Sequence, residues 1–272
     1  MTESPAETAP DGVADGVANG VANGVTNGVT PAAPAGVTAG SARWSSELPV
    51  AFSDPVYVAA VVDLLGAIAY GEMSAFERLS EDAKMAPSLR DKAELARMAA
   101  TEFAHFQGLT SRLAELGVDP FDAMAEFVTP FEAFHRRTAP ADWHEGLVKA
   151  YVGDGLAADF YREVATFLDA DTRAIIVESL SDAGQSVFVV DRVRAAIAAE
   201  PRLGGRLALW GRRLMGEALS QAQRVAAERD ALSALLSGGV DRPAMDLAAL
   251  GRLFNRLTEN HCRRMEALGL SA

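Results

Sequence analysis

Thr101–Phe106 read TEFAHF, with Glu102 and His105 three residues apart inside a run of helix formers. Leu95, Met98, Ala99, Phe106, Leu109 and Leu113 recur around the pair at helical spacing. Both polar side chains therefore fall on or beside the apolar stripe of one amphipathic helix. A core-facing helix ordinarily places Leu or Ala at such positions. A carboxylate and an imidazole turned toward a core require a partner.

The same helical periodicity extends along the chain in both directions. Segment A is predicted from Asp54 to Ala83, opened by Ser53-Asp54-Pro55. Segment B runs from Leu89 to Leu116 and stops at Gly117. Phe121–Thr138 reads as a short irregular helix broken at Pro130. Segment C spans Ala141–Leu168, and segment D spans Ala170–Ala199, ending before Pro201. Two more helices follow, Gly204–Leu236 and Met245–Leu268, separated by SGGVDRP. Short A–B and C–D connections make two antiparallel hairpins, and the longer B–C linker suits a crossover. That is an all-α four-helix bundle, residues 50–200, with a C-terminal helical extension, residues 201–272.

Composition agrees. Of 272 residues 49% are apolar and 7% aromatic, with Ala and Leu dominant. Residues 1–49 differ: GVADGVANGVANGVTNGVTP repeats with a period of four, places Gly and Asn throughout, and reads as a disordered low-complexity tail. Its start is acidic, unlike a secretory signal, and the sequence shows no long charge-free apolar run, so no membrane span is expected. The single cysteine, Cys262, excludes an intrachain disulfide and a Cys-cluster metal site, which favours a cytoplasmic compartment. The Arg and Ala excess suggests a GC-rich bacterial genome.

Each bundle segment carries polar residues on its apolar side. Segment A has Glu72, among Leu65, Ile68, Ala69, Phe76 and Leu79. Segment B has Glu102 and His105, and segment D has Asp182-x-x-Gln185 on a line with Ile175, Val189 and Val193. Segment C offers Asp154 on its apolar side and Asp159 on its wetter side. Spacing chooses between them: Glu72 and Glu102 are 30 residues apart, Asp154 and Asp182 are 28 apart, and Asp159 and Asp182 only 23. A five-residue mismatch displaces a ligand by roughly 7 Å along a helix, so Asp154 is the candidate. Singly, each residue has an ordinary reading: a surface acid, a core-edge histidine, an aspartate bound to Tyr151 or Tyr161, a glutamine satisfying the backbone. Four carboxylates buried together without a cation would cost several kcal/mol per charge or be protonated. A divalent metal removes that cost. His135 and His144 read as exposed, His261 cannot be placed, and Trp143 and Trp210 read as anchors of helix contacts.

One carboxylate from each of two helices plus Glu-x-x-His from the other two is the di-iron carboxylate pattern. On these residues the chain resembles the ferritin-like superfamily. In AYVGDGLAADFYRE and the compact A–D spacing it looks more narrowly like the tRNA-(2-methylthio-N6-isopentenyladenosine) hydroxylase-like proteins. The resemblance covers residues 49–199. It implies two irons that activate dioxygen to hydroxylate an isoprenoid chain on tRNA, with Glu72, Glu102, His105, Asp154, Asp182 and Gln185 as the metal ligands. Gln185 stands where the pattern has histidine, and aspartates replace glutamates in segments C and D. The second metal position is thereby weakened, so one or two irons, or manganese, are expected. The alternatives are a bundle that has lost catalysis and serves as a scaffold, and an iron- or peroxide-handling protein. No individual catalytic residue is assigned.

The net charge of −12 is uneven. From Pro201 onward 11 arginines face 7 acids, a local +4 that leaves −16 on the remainder. Arg202, Arg206, Arg212, Arg213 and Arg224 are the expected contacts if tRNA is the partner. A homodimer is compatible with the sequence.

Overall fold

The computed structural model describes residues 50–180, 185–237 and 247–272. The repeat tail at 1–49, Asp182 and most of the SGGVDRP linker lie outside the described residues. All described elements are helical: α1 (Pro55–Asp82), α2 (Leu89–Glu115), α3 (Pro120–Arg137), α4 (Trp143–Ala165), α5 (Ala170–Ser179), α6 (Gln185–Ala199), α7 (Arg202–Glu228), α8 (Asp230–Ser237) and α9 (Leu247–Ala267), with single 3₁₀ turns at Val50–Ser53 and Ala83–Met85.

Local chemistry sets the helix starts. Asp54 caps α1 by accepting from the Val56 N–H at 2.9 Å, with Pro55 in the first turn. Ser88 caps α2 and also donates to Asp91 at 2.7 Å. Asp119, Asp142 and Asp169 cap α3, α4 and α5 in the same way. Gly117, at φ 76°, turns the chain after α2 in a conformation that favours glycine.

α1 and α2 form a helical hairpin. α3 crosses α1 so closely that a Cβ on Gly66 would collide with the Ala123 carbonyl, while one on Gly71 would lie 3.2 Å from the Phe131 ring. α4 packs on α1, α5 lies against α2 and α4, and α6 lies against α4 and α7. α7 and α9 then cover α4, and α8 returns to α1. By length and apolar content α1 could cross a membrane, contrary to the expectation that no segment qualifies. More than half of its most apolar window is buried against the neighbouring helices, as a core helix requires.

Three expected boundaries change. α3 runs unbroken through Pro130. The Pro130 carbonyl accepts from the Gln221 side chain of α7, and α3 is held between α1 and α7, so tertiary packing overrides the missing N–H. Segment D is not one helix, because α5 ends at Ser179 and the freed Leu180 carbonyl accepts from the Arg162 guanidinium at 2.7 Å. The helix expected from Gly204 to Leu236 divides at Arg229, whose backbone is extended (φ −119°, ψ 92°). Its guanidinium donates to Asp63 through Nη2 at 2.5 Å and Nε at 3.1 Å, donates to Glu126 at 3.1 Å, and lies over the Phe127 ring.

The buried apolar side chains form two clusters. One gathers Leu79, Leu95, Met98, Ala99, Leu147, Leu207 and Met265. The other gathers Tyr57, Leu65, Ile68, Ala69, Phe106, Leu109 and Ile176. Along α1, Glu72 falls between Ala69 of one cluster and Leu79 of the other. Along α2, Glu102 falls between Ala99 and Phe106. The candidate site therefore occupies the seam between the two halves of the core.

Candidate metal centre

Glu72 comes from the middle of α1, and Glu102 and His105 from the middle of α2. Glu72 is 8% exposed and Glu102 6%. His105 Nδ1 lies 3.7 Å from a Glu72 carboxylate oxygen and 3.6 Å from one of Glu102. Both separations are too long for hydrogen bonds, so the buried Nδ1 has none. Three potential ligand atoms, one from each residue, lie within 4.8 Å of one another.

Electrostatics explain why this arrangement calls for a cation. Burial pushes the Glu72 carboxyl well above its usual range, and the neighbouring Glu102 and Asp154 charges add to the effect. The Glu102 and Glu72 carboxylates together hold the His105 imidazole up to about 10, against the cost of burying its charge. A divalent ion binds nitrogen and oxygen ligands at roughly 2.0–2.2 Å, which sets its ligand atoms roughly 3–3.5 Å apart. The observed 3.6 and 3.7 Å need only a small inward closure to meet that spacing. An orphaned imidazole nitrogen facing two carboxylates also supplies the right donor types. The cluster could hold a metal ion, and it is the one such group of three or more His, Cys, Asp or Glu residues among the described residues.

The remaining expected ligands are placed differently. Asp154 is exposed and lines the same cavity as Glu72 and Glu102, but it does not join the three-residue cluster. Asp159 instead pairs with Arg264 at 2.7 Å and lies 3.7 Å from Arg162. Asp182 falls outside the described residues. Gln185 opens α6, but its side chain also lies outside them.

The cluster opens onto a polar cavity of about 380 Å³ between α1, α2, α3 and α4, with Leu180, Val189 and Arg264 also in its wall. Sequence reasoning missed several of its residues. Lys149 is 7% exposed in mid-helix, and Asp82 is 9% exposed. His135, expected at the surface, is part-buried and shares a 2.6 Å hydrogen bond with Ser74. Burial, with Lys149 and Arg78 nearby, keeps its ring neutral by pushing it down to about 3. A signal for Lys149 existed: it is the only lysine beyond Lys92, and it interrupts the apolar run GLVKAYVG. His261 is buried on α9 with neither ring nitrogen hydrogen-bonded. Trp143 and Trp210 are buried as expected, and the Trp210 indole donates to the Glu145 carbonyl at 2.9 Å.

A second chamber, about 220 Å³, adjoins the first. Phe131, Phe134, Gly153, Ala157 and Tyr161 line both. Only Tyr161 and Gln221 bring polar side-chain atoms to the second chamber, and Gln221 is engaged with the Pro130 carbonyl. Burial, with the Glu72 charge nearby, raises the Tyr161 hydroxyl so that it stays protonated.

Residues 55–239 match the family model described as the ferritin-like domain of actinomycetes, which covers more than half of the chain. No curated protein matches the chain.

Proposed function

Because the chain belongs to the ferritin-like domain family of actinomycetes, we propose that its Glu72–Glu102–His105 cluster holds iron and serves an oxidative, dioxygen-using activity on an apolar substrate. The observation that carries this reading is the orphaned His105 Nδ1, set between two buried carboxylates that line a cavity adjoining an apolar chamber. Iron held there would activate dioxygen, with the two electrons for its reduction drawn from an external one-electron or hydride-derived reductant. The protein's own residues supply the rest. Glu72 and Glu102 provide negative charge in a buried setting, so a cation binds them without competition from water. His105 provides a neutral nitrogen once its proton is displaced. Phe131, Phe134 and Ala157 exclude water from the adjoining chamber and receive a hydrocarbon.

Hydroxylation is the finer form of the proposal, supported by the resemblance of the α4 stretch and by the apolar chamber. Presentation of the substrate on tRNA has less support. Of the arginines expected to meet phosphate, Arg206 already binds Asp142 and Glu145, and Arg213 donates to the Arg137 carbonyl. Arg202 and Arg224 are exposed.

Anaerobic loading with ferrous iron followed by exposure to dioxygen tests the proposal. The expected result is rapid dioxygen consumption by the wild-type protein and its loss in Glu102→Ala. Iron-loaded protein that consumes no dioxygen, or equal uptake by the variant, would overturn it and favour a scaffold role. tRNA binding that weakens steeply with added salt would place the apolar chain on tRNA.

A further inference from the structure

Lys149 belongs to the polar cavity but not to the metal cluster. Among the described residues it makes no hydrogen bond or ion pair, and its Nζ lies 5.8 Å from the centroid of the Phe134 ring. Phe134 is one of the residues shared by the two chambers. A buried ammonium with no hydrogen-bonding or ion-pair partner among the described residues, only an aromatic ring face, looks into an open cavity at the place where that cavity meets an apolar one. We infer that the two chambers together bind an aliphatic carboxylic acid, with its carboxylate on Lys149 and its hydrocarbon chain in the apolar chamber.

The surrounding groups narrow the ligand to a monoanion. Asp82 faces the same cavity, and its carboxylate packs against Gly146, where a Cβ would lie 3.0 Å from an oxygen. It offsets part of the Lys149 charge without pairing with it. Arg78 adds a second positive charge, though its guanidinium already reaches Glu81 at 3.0 Å. His135 is neutral and engaged by Ser74. Glu72, Glu102 and Asp154 also line the cavity. Arg162 and Arg264 line the cavity too, but both pair with Asp159, as Arg78 does with Glu81, so Lys149 is the one cation of the lining without an ion pair among the described residues. A single unpaired ammonium with four acids around it complements one carboxylate and repels a phosphate dianion. The apolar chamber offers a tail no polar atom that is both free and acceptor-rich, so it suits a saturated or unsaturated hydrocarbon. Burial pushes the Lys149 ammonium down to about 8, which a bound carboxylate would reverse.

As the substrate class of the metal centre, this assignment rests on the oxidative function proposed above. As a binding site, it is read by a measurement that needs no metal. Metal-free full-length protein is titrated by calorimetry with decanoate, decanol and acetate. Decanoate is expected to bind at least about tenfold more tightly than decanol, as a charge-assisted hydrogen bond implies, and acetate to show no measurable binding. Lys149→Met should remove the preference for decanoate and leave decanol affinity unchanged. Ala222→Phe, which fills the apolar chamber from α7, should weaken both decanoate and decanol. Far-UV dichroism and thermal melts confirm that each variant is folded. Absence of decanoate binding, equal affinity for decanoate and decanol, or an unaltered preference in Lys149→Met would overturn the inference. Decanoate binding by a protein that takes up no iron would overturn the metal reading alone and leave this site standing.

Discussion

Glu102 and His105 show how a single departure from helical patterning can mark a site. Both sit where the periodicity calls for apolar side chains, and the fold sets them beside Glu72 in a common cluster. Lys149 carries the same kind of signal. Its context, two valines and a leucine on neighbouring turns, is that of a core residue, but a lone lysine gives no hint of what it faces. The physics of its burial makes a prediction. The folded-state ammonium is held at about 8, below its ordinary 10.5, so the folded protein binds fewer protons than the unfolded chain between those values. Stability therefore rises with pH across that window, and the full penalty applies below pH 8. Lys149→Met should stabilise the protein by about 1–3 kcal/mol at pH 7, with the gain shrinking as the pH approaches 10.5. Urea denaturation at pH 7 and pH 10 reads this directly, and a variant less stable than wild type at pH 7 would contradict it.

The helices were legible at the level of elements wherever capping and periodicity agreed. Asp54-Pro55 and Gly117 mark ends that the structure keeps. Boundaries set by tertiary partners were not legible. Nothing local to Arg229 says that Asp63, in a helix 166 residues away, will hold it out of the helical path. Nothing local to Leu180 announces Arg162. Pro130 misled in the opposite direction, because α1 and α7 hold α3 together across it. Close helix crossings are hidden in the same way, since one glycine looks like another until its neighbour is known. Gly66→Ala should destabilise by about 1–3 kcal/mol, because the new methyl has no room against the Ala123 backbone. Gly108→Ala, with nothing within 4 Å of the added carbon, should stabilise by about 0.5–1 kcal/mol through helix propensity. Thermal melts of the pair check both signs, and a shared sign would show that the α1–α3 contact is looser than described.

For the whole molecule, an all-α ferritin-like bundle was readable from helix count, connection lengths and the Glu-x-x-His spacing. The arrangement of α7 and α9 over α4 was not, because amphipathic helices of similar phase can cover several faces of a bundle equally well. The site followed the same division. Three candidate ligands stood out by their placement on apolar faces, whereas the second chamber needs six helices to form and leaves no local trace. The central claim is that Glu72, Glu102 and His105 hold a metal. Metal analysis of full-length protein purified without chelators, by inductively coupled plasma mass spectrometry, tests it most directly. About one iron or manganese per chain is expected, falling to background in Glu72→Ala, Glu102→Ala and His105→Ala, and rising toward two in Gln185→His. Metal content at background in the wild type even after ferrous loading, or undiminished in all three alanine variants, would contradict the account.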